Sequence, residues 1–192
     1  MDDRAVSISK FLSLVLRHQP EKIGLSLDQS GWASTPQLIE ASRRSGFEFT
    51  LEELQNVVVG NDKKRFSLSE DGLRIRANQG HSIKVELGYA PTAPPETLYH
   101  GTAERFLASI KQQGLIKGKR QHVHLSADVD TATKVGRRHG KPVVLRVEAG
   151  RMRQDGFIFY LSANGVWLTE GVPVQYLTVT VPRQFIEWSV AD

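Results

Sequence analysis

Arginines and histidines carry most of the chemistry this chain could perform. Arg17-His18 closes the segment Ser9-Lys-Phe-Leu-Ser-Leu-Val-Leu-Arg-His18, just ahead of Pro20. A guanidinium beside an imidazole makes a phosphate clamp with a proton carrier for neutral pH. The same pair also suits a helix end, because cations favour helix C-termini. Asp62-Lys-Lys-Arg65-Phe66 leads into an alternating stretch, where Arg65 and Phe66 take opposite faces. It is either a solvated charge run or a cationic groove for nucleic-acid phosphates. In Tyr99-His100-Gly101-Thr102 the glycine permits close backbone approach, and the start of a following helix would offer free N–H groups to an anion. The plainer alternative is a strand-to-helix turn capped by Thr102. Gly118-Lys-Arg120-Gln-His122-Val-His124-Leu-Ser126 is basic and then alternating. His122 and His124 would share a strand face, but no carboxylate or third histidine lies at a useful spacing. Ligand recognition is therefore expected there, and no metal. Lys134-Val-Gly-Arg137-Arg138-His139-Gly140 is a basic helix end. The chain lacks a P-loop, a G-x-G-x-x-G, a G-x-S-x-G and an H-E-x-x-H.

Elements able to position these groups can be read from periodicity. Ile8, Phe11, Leu12 and Val15 repeat at helical spacing up to Pro20. Thr35-Pro36 places a capping hydroxyl before a proline, and that helix stops at Gly46. Thr50-Leu-Glu-Glu53 is a capping box for a third helix. Phe66 and Leu68, the turn Glu70-Asp71-Gly72, and Leu73, Ile75 and Ala77 form a hairpin. Three helices and a hairpin outline a winged helix. Gly88-Tyr-Ala-Pro-Thr-Ala-Pro-Pro95 reads as a stiff linker, which places the domains at 1–91 and 92–192. Beyond it, strands are expected at Leu98–His100, Val123–Leu125, Pro142–Glu148 and Val174–Val181. Phe157–Leu161 and Val166–Leu168 flank the turn Ser162-Ala-Asn-Gly165. Helices are expected from Thr102 to near Gly114 and from Ala127 to Arg138. The fold class is α+β.

Composition narrows the class further. The 192 residues include 25 Lys and Arg, 21 Asp and Glu, and no cysteine. The absence of thiols removes disulfides, thiolate zinc sites and cysteine nucleophiles, and fits a cytoplasmic protein. No apolar run is long enough for a membrane span, and the start is not a secretory signal. The net charge is +4. Between Lys111 and Arg146, nine Lys or Arg residues face only Asp128 and Asp130, which points to a polyanionic partner.

Taken in order, these strings resemble the RNA (tRNA) 2′-phosphotransferase family. The pieces are Ser9 to His18; Gly31-Trp32; Asp62 to Phe66; Gln79-Gly-His-Ser82; Leu98 to Thr102; His122 to Ser126; Val135-Gly136 with Arg138-His-Gly140; and Asn164-Gly-Val-Trp-Leu-Thr169. The resemblance implies an N-terminal winged-helix lobe and a C-terminal ADP-ribosyltransferase-like lobe. It also implies NAD-dependent removal of an internal RNA 2′-phosphate through an ADP-ribosylated RNA. The products would be 2′-hydroxyl RNA, ADP-ribose 1″,2″-cyclic phosphate and nicotinamide, as in tRNA splicing repair. The family's catalytic set falls on Arg17, His18, Arg65 and Arg120, the last expected from the second lobe. NAD would be held by His100, Gly101, Thr102, His124 and Ser126, with Asp130 and Arg138 as weaker candidates. Many ADP-ribosyltransferases carry a glutamate in their third motif. Here Val172 falls at that position, and Glu170 lies nearby. A phosphate nucleophile is already anionic and needs no such base. RNA and NAD are the expected partners, and the expected state is a monomer. Two alternatives remain open: an ADP-ribosyltransferase acting on a terminal phosphate or a protein, and a non-catalytic winged-helix RNA-binding protein.

Overall fold

A computed structural model describes residues 2–61 and 63–180. Asp62 of the basic run and Val181, the expected end of the last strand, lie outside the described residues.

The elements in chain order are α1 (Asp3–Arg17), β1 (Ala33–Ser34), α2 (Thr35–Arg44), α3 (Leu51–Val59), β2 (Phe66–Leu68) and β3 (Arg74–Ala77). They continue as β4 (Leu98–Ala103), α4 (Leu107–Gln113), β5 (Leu115–Ile116), β6 (Val123–Leu125), α5 (Val129–Gly136) and β7 (Pro142–Val147). The last are α6 (Ala149–Gln154), β8 (Phe159–Leu161), β9 (Trp167–Thr169), β10 (Gly171–Val172) and β11 (Leu177–Thr180). This is a mixed α and β fold whose sheets are all small and antiparallel.

By its contacts the chain divides into two units. The first comprises residues 1–90 with 118–121 and 162–165; the second takes the remainder. The sequence placed Arg120 in the second lobe, but here it groups with the first. Side-chain amides hold both excursions in place. Gln121 Nε2 donates to the carbonyls of Ile83 and Val85 at 2.8 and 3.1 Å. Asn164 Nδ2 donates to the Lys63 carbonyl at 2.9 Å. Single-residue amide contacts of this kind leave no periodic trace in a sequence.

In the first unit, α1, α2 and α3 pack with a three-stranded sheet of order β1-β3-β2. Ile8, Leu12, Val15 and Leu16 of α1 are buried with Leu38, Leu54, Val57, Phe66 and Ile75. This is the core that the period of 3.6 required. Phe11 stacks on Phe47 with centroids 4.3 Å apart. Thr50 and Glu53 form the reciprocal capping box. The cap of α2 differs from expectation: Ser34 Oγ accepts from the Gln37 amide at 3.4 Å, while Thr35 lies one residue inside the helix and is buried. A proline is compatible with the second helical position as well as the first, so Thr35-Pro36 did not fix the register.

In the second unit, β7 is the centre of a sheet ordered β11-β7-β4, and β9 of another ordered β6-β9-β8. The segment expected as one strand from Val174 begins with a 3-10 turn, Val174–Tyr176, before β11. The buried, hydrogen-bonded Tyr176 sets that turn, its hydroxyl donating to Asp155 Oδ2 at 2.6 Å. Helix α6 went unanticipated because Gly150 interrupts its apolar pattern. Thr102 lies inside β4, so it caps nothing, and the following helix starts only after the 3-10 turn Glu104–Phe106. Gly101 is fixed by packing: a Cβ there would stand 1.7 Å from the Ala132 carbonyl oxygen in α5. Gly136 makes the reciprocal approach, its Cβ position lying 2.5 Å from the Thr102 carbonyl oxygen.

Gly101→Ala should therefore lower stability by about 1–3 kcal/mol, the usual cost of overpacking against backbone that cannot yield. Urea unfolding of the variant checks this, and an unchanged midpoint would contradict the packing described.

Candidate functional site

The end of α1 delivers Arg17 and His18 together. Arg17 is the last helical residue and His18 the C-cap. Arg17 Nη2 donates to the Arg65 carbonyl at 3.3 Å. The Arg17 carbonyl in turn accepts from the Ser82 amide at 2.9 Å. His18 Nδ1 and Ser82 Oγ share a hydrogen bond of 2.9 Å. The helix end, the run before β2 and the loop after β3 are thereby pinned to one another.

Arg65 is aimed by a tight turn. Buried Asn61 accepts through Oδ1 from the Lys63 amide at 3.1 Å and from Arg65 Nη1 at 3.2 Å. Lys64 adopts a left-handed φ of 41°, a strained state for a side chain with a Cβ. Its amide donates to the Asn61 carbonyl at 2.7 Å, and its own carbonyl accepts from Asn78 Nδ2 at 2.7 Å. Two asparagines thus hold the strain that presents Arg65.

The electrostatics is lopsided. Arg17 is pushed down to about 10, first by burial and then by repulsion from Arg65 and Arg120. It remains a cation at neutral pH. The imidazole of His18 is held below its ordinary value by desolvation and by the charges of Arg17 and Arg120. Burial also lowers Arg120, although much of that residue's surface faces solvent. Arg17, His18, Arg65 and Arg120, nominated from sequence, therefore lie in one unit, with Arg17 in electrostatic reach of Arg65 and Arg120 and His18 in reach of Arg17 and Arg120. Such a cluster fits a dianionic phosphate.

The sequence reading gave no role to several neighbours. Ser82, Asn61 and Asn78 orient the cluster. His81 is 1% exposed, and neither ring nitrogen has a hydrogen-bond partner. Burial, then Arg17, His18 and Arg76, pushes its pKa down to about 4, so it is neutral at pH 7. Tyr89 is pushed up to about 12, chiefly by burial, and its hydroxyl donates to the Asn78 carbonyl. The string Gln79-Gly-His-Ser82 signalled this loop, but nothing in it told which residue was buried.

The second unit collects the other nominated residues around β4 and β6. His100 Nδ1 donates to the His124 carbonyl at 3.0 Å. Tyr99 and Ser126 exchange backbone hydrogen bonds of 2.9 and 2.7 Å. His100, His124 and Ser126 are thereby neighbours, each half-buried, and Thr102 is buried further along β4. Asp130 is exposed in the first turn of α5, and Arg138 is exposed in the 3-10 turn Arg137–His139 that follows it. The two imidazoles and the Ser126 hydroxyl offer hydrogen-bonding groups, and Arg138 offers a cation. Gly101 has its Cβ direction filled by α5, so its side-chain face is closed to a ligand. Glu170 is exposed and ion-paired with Lys117, while Val172 is buried in the β5–β10 pair. Among the described residues no group of three or more His, Cys, Asp or Glu could hold a metal ion, and no helix is long and apolar enough to cross a membrane.

Comparison with known proteins finds similarity over most of the chain. A family model described as RNA 2′-phosphotransferase, Tpt1 / KptA family, matches residues 3–171. A protein of Acaryochloris marina named probable RNA 2′-phosphotransferase is 56% identical over 176 residues, 92% of this chain and 97% of its own. One of the same name from Agrobacterium fabrum is 58% identical over 176 residues, 92% of this chain and 95% of its own. A third, from Streptomyces coelicolor, is 52% identical over 181 residues, covering 94% and 98% of the two chains.

The buried His81 makes stability depend on acid. The unfolded ring takes its proton near pH ~6.5, the native ring only near about 4. The unfolded state therefore binds more protons between those values. Its contribution is intact above about pH 6.5 and falls by about 3 kcal/mol as pH drops to about 4. Urea unfolding across that window should show this loss in the native chain and a smaller one in His81→Leu; parallel pH profiles would contradict it.

Proposed function

Since the chain belongs to the RNA 2′-phosphotransferase family, we propose that it is an NAD-dependent transferase that removes an internal 2′-phosphate from RNA. The observation that carries this reading is the convergence of Arg17, His18, Arg65 and Arg120 in a single unit. Three guanidiniums with one imidazole fit a phosphate monoester better than a neutral group or a base edge. In this reading the first unit is a winged-helix lobe, in keeping with its three helices and β1-β3-β2 sheet. The second is an ADP-ribosyltransferase-like lobe; the main boundary lies near residue 91, with 118–121 and 162–165 joining the first unit. RNA and NAD are its partners, the cytoplasm its compartment, and a monomer its working form.

NAD supplies an electrophilic ribose carbon, C1″, with nicotinamide as leaving group. His100, Thr102, His124, Ser126, Asp130 and Arg138 would hold it, with Gly101 setting the distance between β4 and α5. The chain's own residues then do the following. Arg17, Arg65 and Arg120 neutralise and orient the 2′-phosphate, whose oxygen needs no base to act as nucleophile. When the ribose 2″-hydroxyl attacks phosphorus, the same guanidiniums meet the charge that grows on the phosphorus oxygens. His18, held by Ser82 through Nδ1 and neutral at pH 7, has Nε2 available to take the hydroxyl proton. It can return that proton to the departing RNA 2′-oxygen. The products are 2′-hydroxyl RNA, ADP-ribose 1″,2″-cyclic phosphate and nicotinamide.

Incubating a short RNA bearing one internal 2′-phosphate should remove the phosphate only when NAD is present. Loss without NAD, or none with it, overturns the reading. His18→Ala should slow the second displacement at least 100-fold and let ADP-ribosylated RNA accumulate. Turnover at the native rate would remove His18 from its role.

A further inference from the structure

Arg76 lies outside the set nominated from sequence, and the fold keeps its charge uncompensated. On β3, Ile75 and Ala77 point into the core, so Arg74 and Arg76 share the opposite face. Both guanidiniums lie against Trp32, 5.4 and 4.6 Å from the ring centroid. Trp32 is itself fixed: its amide donates to Asp28 Oδ1 at 2.9 Å, and its carbonyl accepts from the Asp28 amide at 2.9 Å. An aromatic face holds a cation in place without neutralising it. No carboxylate among the described residues pairs with Arg76 or with Arg17. In each, Nε is buried without a hydrogen-bond partner.

Arg17 donates to the Arg65 carbonyl and is repelled by Arg65 and Arg120. His81 and Tyr89 each feel both Arg17 and Arg76, and a Cβ on Gly31, next to Trp32, would stand 3.6 Å from His81 Nε2. The arrangement is thus two adjoining cationic positions sharing one guanidinium, with the buried, neutral His81 forming part of the second. An RNA ribose that carries a 2′-phosphate has the same form, since a phosphodiester leaves its vicinal 3′-oxygen. We propose that Arg76, clamped on Trp32, is a further substrate-binding residue that takes the RNA phosphodiester adjoining the 2′-phosphate. The inference rests on the proposed function and deepens it. It makes a polynucleotide, rather than any 2′-phosphorylated small molecule, the preferred substrate class.

Binding measured without NAD tests this apart from catalysis. Two probes are compared: a short single-stranded RNA with one internal 2′-phosphate, and a nucleoside 2′-monophosphate, which has no phosphodiester. Arg76→Gln should weaken binding of the RNA about tenfold and reduce its salt slope by about 0.7, the value for one phosphate on a single strand. It should leave binding of the monophosphate unchanged. Arg76→Lys should keep the salt slope. Trp32→Leu, which frees Arg76 without removing charge, should weaken only the RNA, about threefold. Equal losses on both probes, or none on the RNA, overturn the assignment. If the RNA pattern holds but wild-type protein transfers no phosphate, the proposed function fails and the phosphodiester site stands.

Discussion

A guanidinium withdrawn from water, with no carboxylate to meet it, is the constraint around which the first unit is organised. Arg17 closes α1 against buried Leu16 and Val15, repelled by Arg65 and Arg120. Such an arrangement is costly unless a ligand supplies the missing charge. The surrounding architecture keeps the cations from relaxing apart. Ser82 is bonded to both residues at the helix end. Asn61 and Asn78 hold a left-handed lysine so that Arg65 cannot swing away. Gln121 fastens Arg120's segment to the same unit. The stability given up at the cluster is compensated by the apolar core beneath it.

The second unit solves a different problem by different means. It brings strand and helix backbones together at Gly101 and Gly136 and so places His100 beside His124 with a fixed tautomer. Here glycine serves the scaffold, and half-buried polar side chains are left for a ligand. At the third-motif position Val172 is buried, and nearby Glu170 is exposed and ion-paired with Lys117.

Much of this was legible from residue order. The period of Ile8, Leu12 and Val15 gave α1, and the Thr50–Glu53 box gave the start of α3. Alternation about Ile75 gave β3, while the cationic set was named from the resemblance of the ordered strings to a known family. What escaped had no periodic signature. Ser34 rather than Thr35 caps α2 because two adjacent hydroxyls competed for one role. Arg120 lies with the first unit, where the neighbouring Gln121 amide bonds the Ile83 and Val85 carbonyls. His81 and Arg76 looked like ordinary loop and strand residues, since burial without a partner is a property of three-dimensional packing. Gly101 permits the close backbone approach expected of it, but that its partner is the Ala132 carbonyl could not be read from residue order.

The claim that this cluster exists to grip a doubly charged phosphate can be tested by ³¹P NMR of RNA carrying one internal 2′-phosphate, titrated free and bound. A free monoester takes up its second proton near pH ~6. Held among Arg17, Arg65 and Arg120, it should stay dianionic to a pH lower by at least about one unit, because opposite charges favour the ionised form. A bound phosphate that protonates at the same pH as the free one, or at a higher pH, would contradict the account.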